Sequence, residues 1–131
     1  MDTIQRKKEE KTSFITGRRN SFRYAFKGLR SLMSSEPNAW IHLTATVAVL
    51  MAGYYVSLSV KEWAVLLVVI GMVWMAEIFN TCIEKILDLL CPQEDPRVGN
   101  IKDLAAAAVL CTSLIAVVVG CLVFSPHFIN G

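Results

Sequence analysis

Five polar residues on one stretch have the types and spacing to do chemistry: Glu77, Asn80, Thr81, Glu84 and Asp88. A helix turns about 100° per residue, which gathers all five within an arc of about 100°. Ile78, Phe79, Ile83, Ile86, Leu87, Leu89 and Leu90 take the rest of the circumference. Three carboxylates on one face repel one another, so they need a bound cation, protonation or basic partners. An oxygen-only ligand set suits Mg²⁺ or another hard divalent ion. The plainer alternative is a polar seam that glues one helix to its neighbours.

The elements that must carry this stripe are apolar. Of 131 residues, 54% are hydrophobic and only 18% charged, while soluble domains sit near ~25% charged. Mean hydropathy is +0.48. This composition excludes a disordered chain, and a net charge of +2 gives no sign of nucleic-acid binding. Residues 39–60 and 104–126 carry no Asp, Glu, Lys or Arg, and 63–76 are uncharged. A membrane-crossing helix needs about 20 mostly apolar residues. The pattern predicts an all-α membrane protein with transmembrane helices over 39–58, 63–89 and 104–124. The acidic stripe then begins inside the bilayer, where one carboxylate costs about 2.5–3.5 kcal/mol even on a lenient scale, and such residues are functional by default.

Nine of the thirteen Lys and Arg lie in residues 1–30, which predicts a cytoplasmic N-terminus. No apolar run of the signal-peptide kind precedes the first span. Three crossings place 58–62 outside, 90–102 inside and the C-terminus outside. Residues 1–17 read as a flexible cytoplasmic tail. Over 18–35, Phe22, Ala25, Phe26, Leu29, Leu32 and Met33 share one helical face, and Arg23, Lys27 and Arg30 share another. That is the pattern of a helix lying in the membrane interface or packed on other protein. Pro37 ends it, because it disfavours helical geometry at Glu36.

The loop 91–101, with Pro92, Pro96 and Gly99, leads to Lys102 and Asp103 at the expected start of the third span. An antiparallel hairpin returns these two near Glu84 and Asp88. Carboxylates for Mg²⁺ beside a lysine for phosphate suit a metal-bound polyphosphate. Taken singly, Lys102 reads as a cation reaching out from a helix end, and Asp103 as a first-turn acid favoured by the helix dipole. No GxxxxGK[ST], GxGxxG or HExxH occurs, which excludes P-loop, protein-kinase and zinc-protease chemistry. Cys82, Cys91, Cys111 and Cys121 form no CxxC and read as small packing residues.

The stripe Glu77-xx-Asn80-xxx-Glu84-xxx-Asp88, followed by Lys102-Asp103 and the run Ala105–Ala108, resembles the prokaryotic diacylglycerol kinase family, which includes undecaprenol kinases. Ser21-Phe22-x-Tyr24-Ala25-xx-Gly28 and Glu36-x-Asn38 are similar to its N-terminal motifs, so the resemblance covers about residues 18–124. It implies a three-span membrane lipid kinase, usually a homotrimer with active sites shared between protomers. Glu77 would be the base for the lipid hydroxyl, with Asn80 orienting the site. Glu36 and Glu84 would hold ATP through Mg²⁺. Arg18, Tyr24, Glu94, Asp95, Lys102 and Asp103 would contact the nucleotide, the lysine on phosphate. Asn38 and His42 would face the lipid substrate. His42 stands where diacylglycerol-specific members tend to carry a carboxylate, which resembles the undecaprenol branch and leaves the acceptor open between diacylglycerol and a long-chain polyprenol. Two other classes compete: a small transporter or channel subunit using the buried carboxylates, and a purely structural subunit.

Overall fold

The structure is a computed structural model that describes residues 3–129, with side chains described from Thr16 onward. It contains four α-helices and, among the described residues, no strand: α1 (Thr3–Ser35), α2 (Pro37–Tyr55), α3 (Val60–Leu90) and α4 (Pro96–Ile129). The helix α1 forms one compact unit, and the chain from Glu36 onward forms a second.

α1 begins well before the expected start at residue 18, so the stretch expected as a tail is helical from Thr3. Lys, Glu, Gln and Arg are good helix formers without a tertiary partner. Residues 1 and 2 of that tail lie outside the described residues. Phe22 and Phe26 are about two-thirds exposed, whereas Leu32 is buried. The helix stops where expected: Glu36 takes extended backbone angles (φ −115°, ψ 110°), and Pro37 opens α2, a position where its missing N–H costs nothing.

The turn from α2 to α3 is a Schellman motif. The Leu58 N–H donates to the Gly53 carbonyl (3.1 Å), the Ser57 N–H donates to the Tyr54 carbonyl (3.3 Å), and Ser57 takes the left-handed φ of 56° that this cap requires. Ser59 then caps α3 reciprocally: its hydroxyl accepts from the Glu62 N–H, and the Glu62 carboxylate accepts from the Ser59 N–H. Leu58 folds back over Gly53 and is buried.

α3 and α4 form a long antiparallel hairpin fastened at both ends. At one end the Glu62 carboxylate meets His127 Nε2 at 2.9 Å; at the other Lys102 Nζ donates to Asp88. The residues expected as loop up to 101 belong largely to α4, which starts at Pro96. Pro96, expected within that loop, occupies the first helical position, where proline fits, and Asp95 caps the helix by accepting from the Arg97 N–H at 2.8 Å. Arg97 also pairs with Asp95 through its guanidinium. These bonds, the guanidinium first, hold the Asp95 carboxyl below the usual carboxylate range. A depressed carboxyl keeps its contribution above the unfolded value and loses it only as pH falls through the folded one, so the cap persists at neutral pH.

α3 and α4 are each long and apolar enough to cross a membrane. α2, expected as a third span over 39–58, is shorter, carries Asn38, His42 and two threonines, and does not stand with them on that measure. It lies on α3 through the Trp74 indole N–H, which donates to the Thr46 hydroxyl at 3.0 Å.

The inter-helix turn makes a direct test. A Cβ at Gly53 would lie 2.8 Å from both Leu58 Cδ1 and Trp63 Cη2, whereas one at Gly120 would meet nothing within 4 Å. Overpacking costs about 1–3 kcal/mol, more than the roughly 0.5–1 kcal/mol that Ala gains over Gly in a helix. Gly53→Ala therefore lowers the thermal unfolding midpoint in detergent, and Gly120→Ala does not.

Candidate active site

The buried stripe of α3 changes character along its length. Leu66, Val69 and Val73 are apolar; Glu77, Asn80 and Thr81 continue the same face. Glu77 is 1% exposed and is the largest fully buried side chain among the described residues. Its Oε2, the Asn80 Oδ1 and the Thr81 hydroxyl have no hydrogen-bond partner. Buried polar atoms in a native protein are normally paired, so three orphans on neighbouring turns mark a place where something else belongs.

A cleft of about 320 Å³ opens onto this face. Its floor is Glu77, Asn80 and Glu84 of α3, and Asn38 and His42 of α2 face Ser113 of α4 across it. The Asn80 amide donates to Glu84 Oε1 at 3.0 Å, while its carbonyl oxygen is buried without a partner. His42 Nε2 lies 3.6 Å from Glu77 Oε2, too long for a hydrogen bond but close enough for charge. Glu36 and Glu84 also act electrostatically on Glu77. Exposure rises along the stripe: Glu84 is half-buried and Asp88 is exposed.

A second, larger pocket of about 720 Å³ lies at the α3–α4 turn, lined by Asp88, Glu94, Asp95 and Lys102 among others. Lys102 bridges the two helices to Asp88. Glu84 and Asp88 are one helical turn apart, about 6 Å of rise, so the stripe runs from the buried cleft to the rim of this pocket.

The structure thus brings Glu77, Asn80, Glu84, Asn38 and His42 to one cleft, and Asp88, Glu94, Asp95 and Lys102 to the adjoining pocket. It does not bring Asp103 to either. Lys102 and Asp103 stand well inside α4 rather than at its start, so the first-turn dipole reading of Asp103 is overturned. Glu36 sits at the break that opens α2. Arg18 and Tyr24 lie on α1; Tyr24 shares a surface groove there with Arg23, Lys27 and Arg30. No three His, Cys, Asp or Glu side chains among the described residues form a ready-made metal cage. All four cysteines are free and exposed.

Residues 23–124 match the family described as prokaryotic diacylglycerol kinase. An undecaprenol kinase of Bacillus subtilis (strain 168) is 36% identical over 106 residues, covering 81% of this chain and 86% of that protein. A diacylglycerol kinase of Synechocystis (strain PCC 6803) is 37% identical over 108 residues, covering 81% of this chain and 62% of that protein. One from Escherichia coli (strain K12) is 30% identical over 112 residues, covering 80% of this chain and 86% of that protein. This chain belongs to the prokaryotic diacylglycerol kinase family. No solved structure matches it.

The matched segment of this family member spans the whole of α2 and α3 and most of α4, so both the cleft and the loop pocket fall inside it. Sequence reasoning missed Ser113, which brings a hydroxyl to the α4 wall opposite His42. Its signal was present as a serine within an otherwise apolar run of α4 at helical spacing from Ala106 and Leu110, though the register between α2, α3 and α4 is needed to see it. It also missed the Trp74–Thr46 bond that seats α2. An unpaired buried carboxyl destabilises its host by about 1–3 kcal/mol. Glu77→Leu therefore raises the unfolding midpoint of the purified protein; a lowered midpoint would mean that Glu77 has partners holding it in place.

Proposed function

We propose that this chain is a membrane lipid kinase that transfers the γ-phosphate of ATP to the hydroxyl of a lipid alcohol. The observation that carries the reading is Glu77: a buried carboxyl on a membrane-crossing helix, its Oε2 without a hydrogen bond and only His42 near it at 3.6 Å, at the floor of a cleft one helical turn from the polar pocket that Asp88 and Lys102 line. Family membership and relatives named undecaprenol kinase and diacylglycerol kinase support the same reaction class.

In this reading the loop pocket takes the nucleotide. Lys102 leaves Asp88 for phosphate oxygens, Glu94 lines the pocket, and Asp95 acts by fixing the start of α4 that shapes it. The family resemblance implies nucleotide contacts for Arg18, Tyr24 and Asp103 as well. Glu36 and Glu84 are the two carboxylates that would hold Mg²⁺. Magnesium keeps several waters and is held by one or two carboxylates plus substrate phosphates, so the absence of a three-ligand cage among the described residues fits it. When bound, the ion supplies neutralisation of the transferring phosphoryl group.

The chemistry of the chain's own residues is short. The lipid hydroxyl enters the cleft beside Asn38 and His42, and Asn80 holds Glu84 in place and orients the site. Glu77 takes the hydroxyl proton as the oxygen attacks the γ-phosphorus. The new P–O bond forms as the bond to the bridging β,γ-oxygen breaks, and the electron pair leaves on ADP. Positioning and charge neutralisation do most of the work in such a transfer. Three spans, with α2 as the third, put the N-terminus and the loop pocket in the cytoplasm and the C-terminus outside. α1 lies at the inner membrane surface with its basic face toward anionic headgroups. Protomers assemble as a trimer, as the family resemblance implies. A conduction path for ions gains no support, since α3 beyond Glu77 buries only Val73, Val69 and Leu66.

Three measurements test this. Purified protein in mixed micelles with labelled ATP transfers label to a lipid alcohol, and Glu77→Gln lowers turnover by about 10²–10⁴-fold while remaining folded and assembled. Lys102→Met raises the KM for ATP about tenfold more than the KM for lipid, as loss of one phosphate contact worth roughly 1.4 kcal/mol would. Chelation with EDTA stops turnover, and added Mg²⁺ restores it.

A further inference from the structure

Each turnover of the proposed reaction leaves one proton on Glu77, and the structure limits where that proton can go next. Glu77 is 1% exposed, so it does not shed the proton directly to bulk water. Asn80 and Thr81, its neighbours on the buried stripe, carry an amide and a hydroxyl, which are not bases at neutral pH. From α4 the cleft receives Ala106, Val109, Leu110 and Ser113, none of them titratable. Among the described residues, the groups acting electrostatically on Glu77 are His42, Glu36 and Glu84. Glu36 and Glu84 are the carboxylates assigned to Mg²⁺ above, and a carboxylate beside a cation is a poor proton acceptor. That leaves His42, whose side chain is of the one type that takes up and gives up a proton near neutral pH without perturbation.

A two-rung contact between α2 and α3 holds His42 against Glu77. His42 and Thr46 are four residues apart on α2, and Trp74 and Glu77 are three apart on α3, so each pair shares a helical face. One rung is the Trp74 indole N–H, which donates to the Thr46 hydroxyl at 3.0 Å. The other is His42 Nε2, 3.6 Å from Glu77 Oε2. Trp74 serves both rungs, because its ring also meets the His42 ring edge to face, with centroids 6.4 Å apart and planes at 63°. The bonded rung fixes the register of α2 on α3. It leaves the second rung just beyond hydrogen-bond length, a gap that a small side-chain rotation closes. Exposure rises along that rung, from 1% of the Glu77 side chain to 15% of the His42 side chain, so the imidazole lies on the way out.

We propose that His42 is the proton relay of this site, the residue that resets Glu77 after each phosphoryl transfer. The inference rests on the lipid-kinase reading and names the residue that serves its base. The proton of the lipid hydroxyl goes first to Glu77 Oε2. That O–H bond then breaks as an N–H bond forms at His42 Nε2, which leaves Glu77 a carboxylate and His42 an imidazolium. The imidazolium gives up one proton to water at the mouth of the cleft and returns to the neutral ring. In this scheme His42 touches neither phosphorus nor nucleotide; it acts through Glu77.

The test separates the first turnover from those that follow, by rapid-quench measurement of labelled lipid phosphate in mixed micelles. Resting protein has equilibrated its protons with solvent, so the first transfer needs no relay and every later one does. His42→Gln keeps a polar side chain and removes the basic nitrogen. Its steady-state rate falls about tenfold or more, while its first turnover stays within about twofold of the parent's. His42→Ala leaves room for free imidazole in the cleft of about 320 Å³, and added imidazole restores its steady-state rate. A loss confined to packing would slow first and later turnovers alike and would not respond to imidazole. An equal fall of both rates in His42→Gln, unchanged rates in that variant, or no rescue of His42→Ala overturns the relay and leaves the kinase standing. If His42→Gln does not assemble, Thr46→Val carries the same test. It removes the acceptor of the indole while keeping the imidazole, and it gives the same split in smaller measure; an equal fall of both rates there overturns the relay. No transfer by the parent to undecaprenol or to dioleoylglycerol removes the kinase reading, and this inference with it.

Discussion

The structure turns on one constraint: the buried face of α3 changes from Leu66, Val69 and Val73 to Glu77, Asn80 and Thr81 without leaving the helix. An apolar stripe can be satisfied by almost any hydrocarbon neighbour. A carboxylate oxygen, an amide oxygen and a hydroxyl left without hydrogen bonds cannot, and in a helix long enough to cross a membrane water is no easy remedy. The surrounding helices do not cover this face with complementary donors. They leave a cleft over it, which carries a standing cost in stability for a site kept open to a ligand.

Holding such a face open requires rigid neighbours, and the fastenings of the second unit supply them. The Ser59–Glu62 box, the Glu62–His127 contact and the Asp88–Lys102 pair hold the α3–α4 hairpin at its two ends. The Schellman turn at Ser57 and the Trp74–Thr46 bond seat α2 on α3. The bonds along the hairpin lie away from the cleft floor. Glu77 Oε2, Asn80 Oδ1 and the Thr81 hydroxyl take no hydrogen bond within the fold and are left to serve the site.

Much of this was legible from residue spacing. The acidic stripe is a single-helix property, and 100° per residue predicts it without knowledge of any neighbour. The break at Glu36 was legible for the same reason, since Pro37 acts on the residue before it. What could not be read depends on other elements. Pro96 means a stop or a start according to whether a cap such as Asp95 precedes it, so the loop expected up to residue 101 runs six residues too far. Lys102 and Asp103 therefore fell inside α4, and only Lys102 lines a pocket with the acids. The long helical start of α1 was hidden by its charge, which reads equally as tail or as exposed helix. Ser113 required the register between α2, α3 and α4.

The arrangement also explains why the acids are graded in exposure. In the proposed reaction one substrate is oily and the other highly charged, and they approach from different solvents. Lys102 and Asp88 are accessible enough to exchange a mutual pairing for phosphate, whereas Glu77 is placed where a hydrocarbon can reach and bulk water does not readily follow. A base in water at that position would deprotonate water as readily as lipid, and an exposed phosphoryl group would be lost to hydrolysis. Exclusion of water is thus a condition for selecting a lipid hydroxyl. Glu84, half-buried, two turns from Glu77 and one from Asp88, is the residue on which the two environments meet, and the Asn80 amide bonded to it fixes that junction.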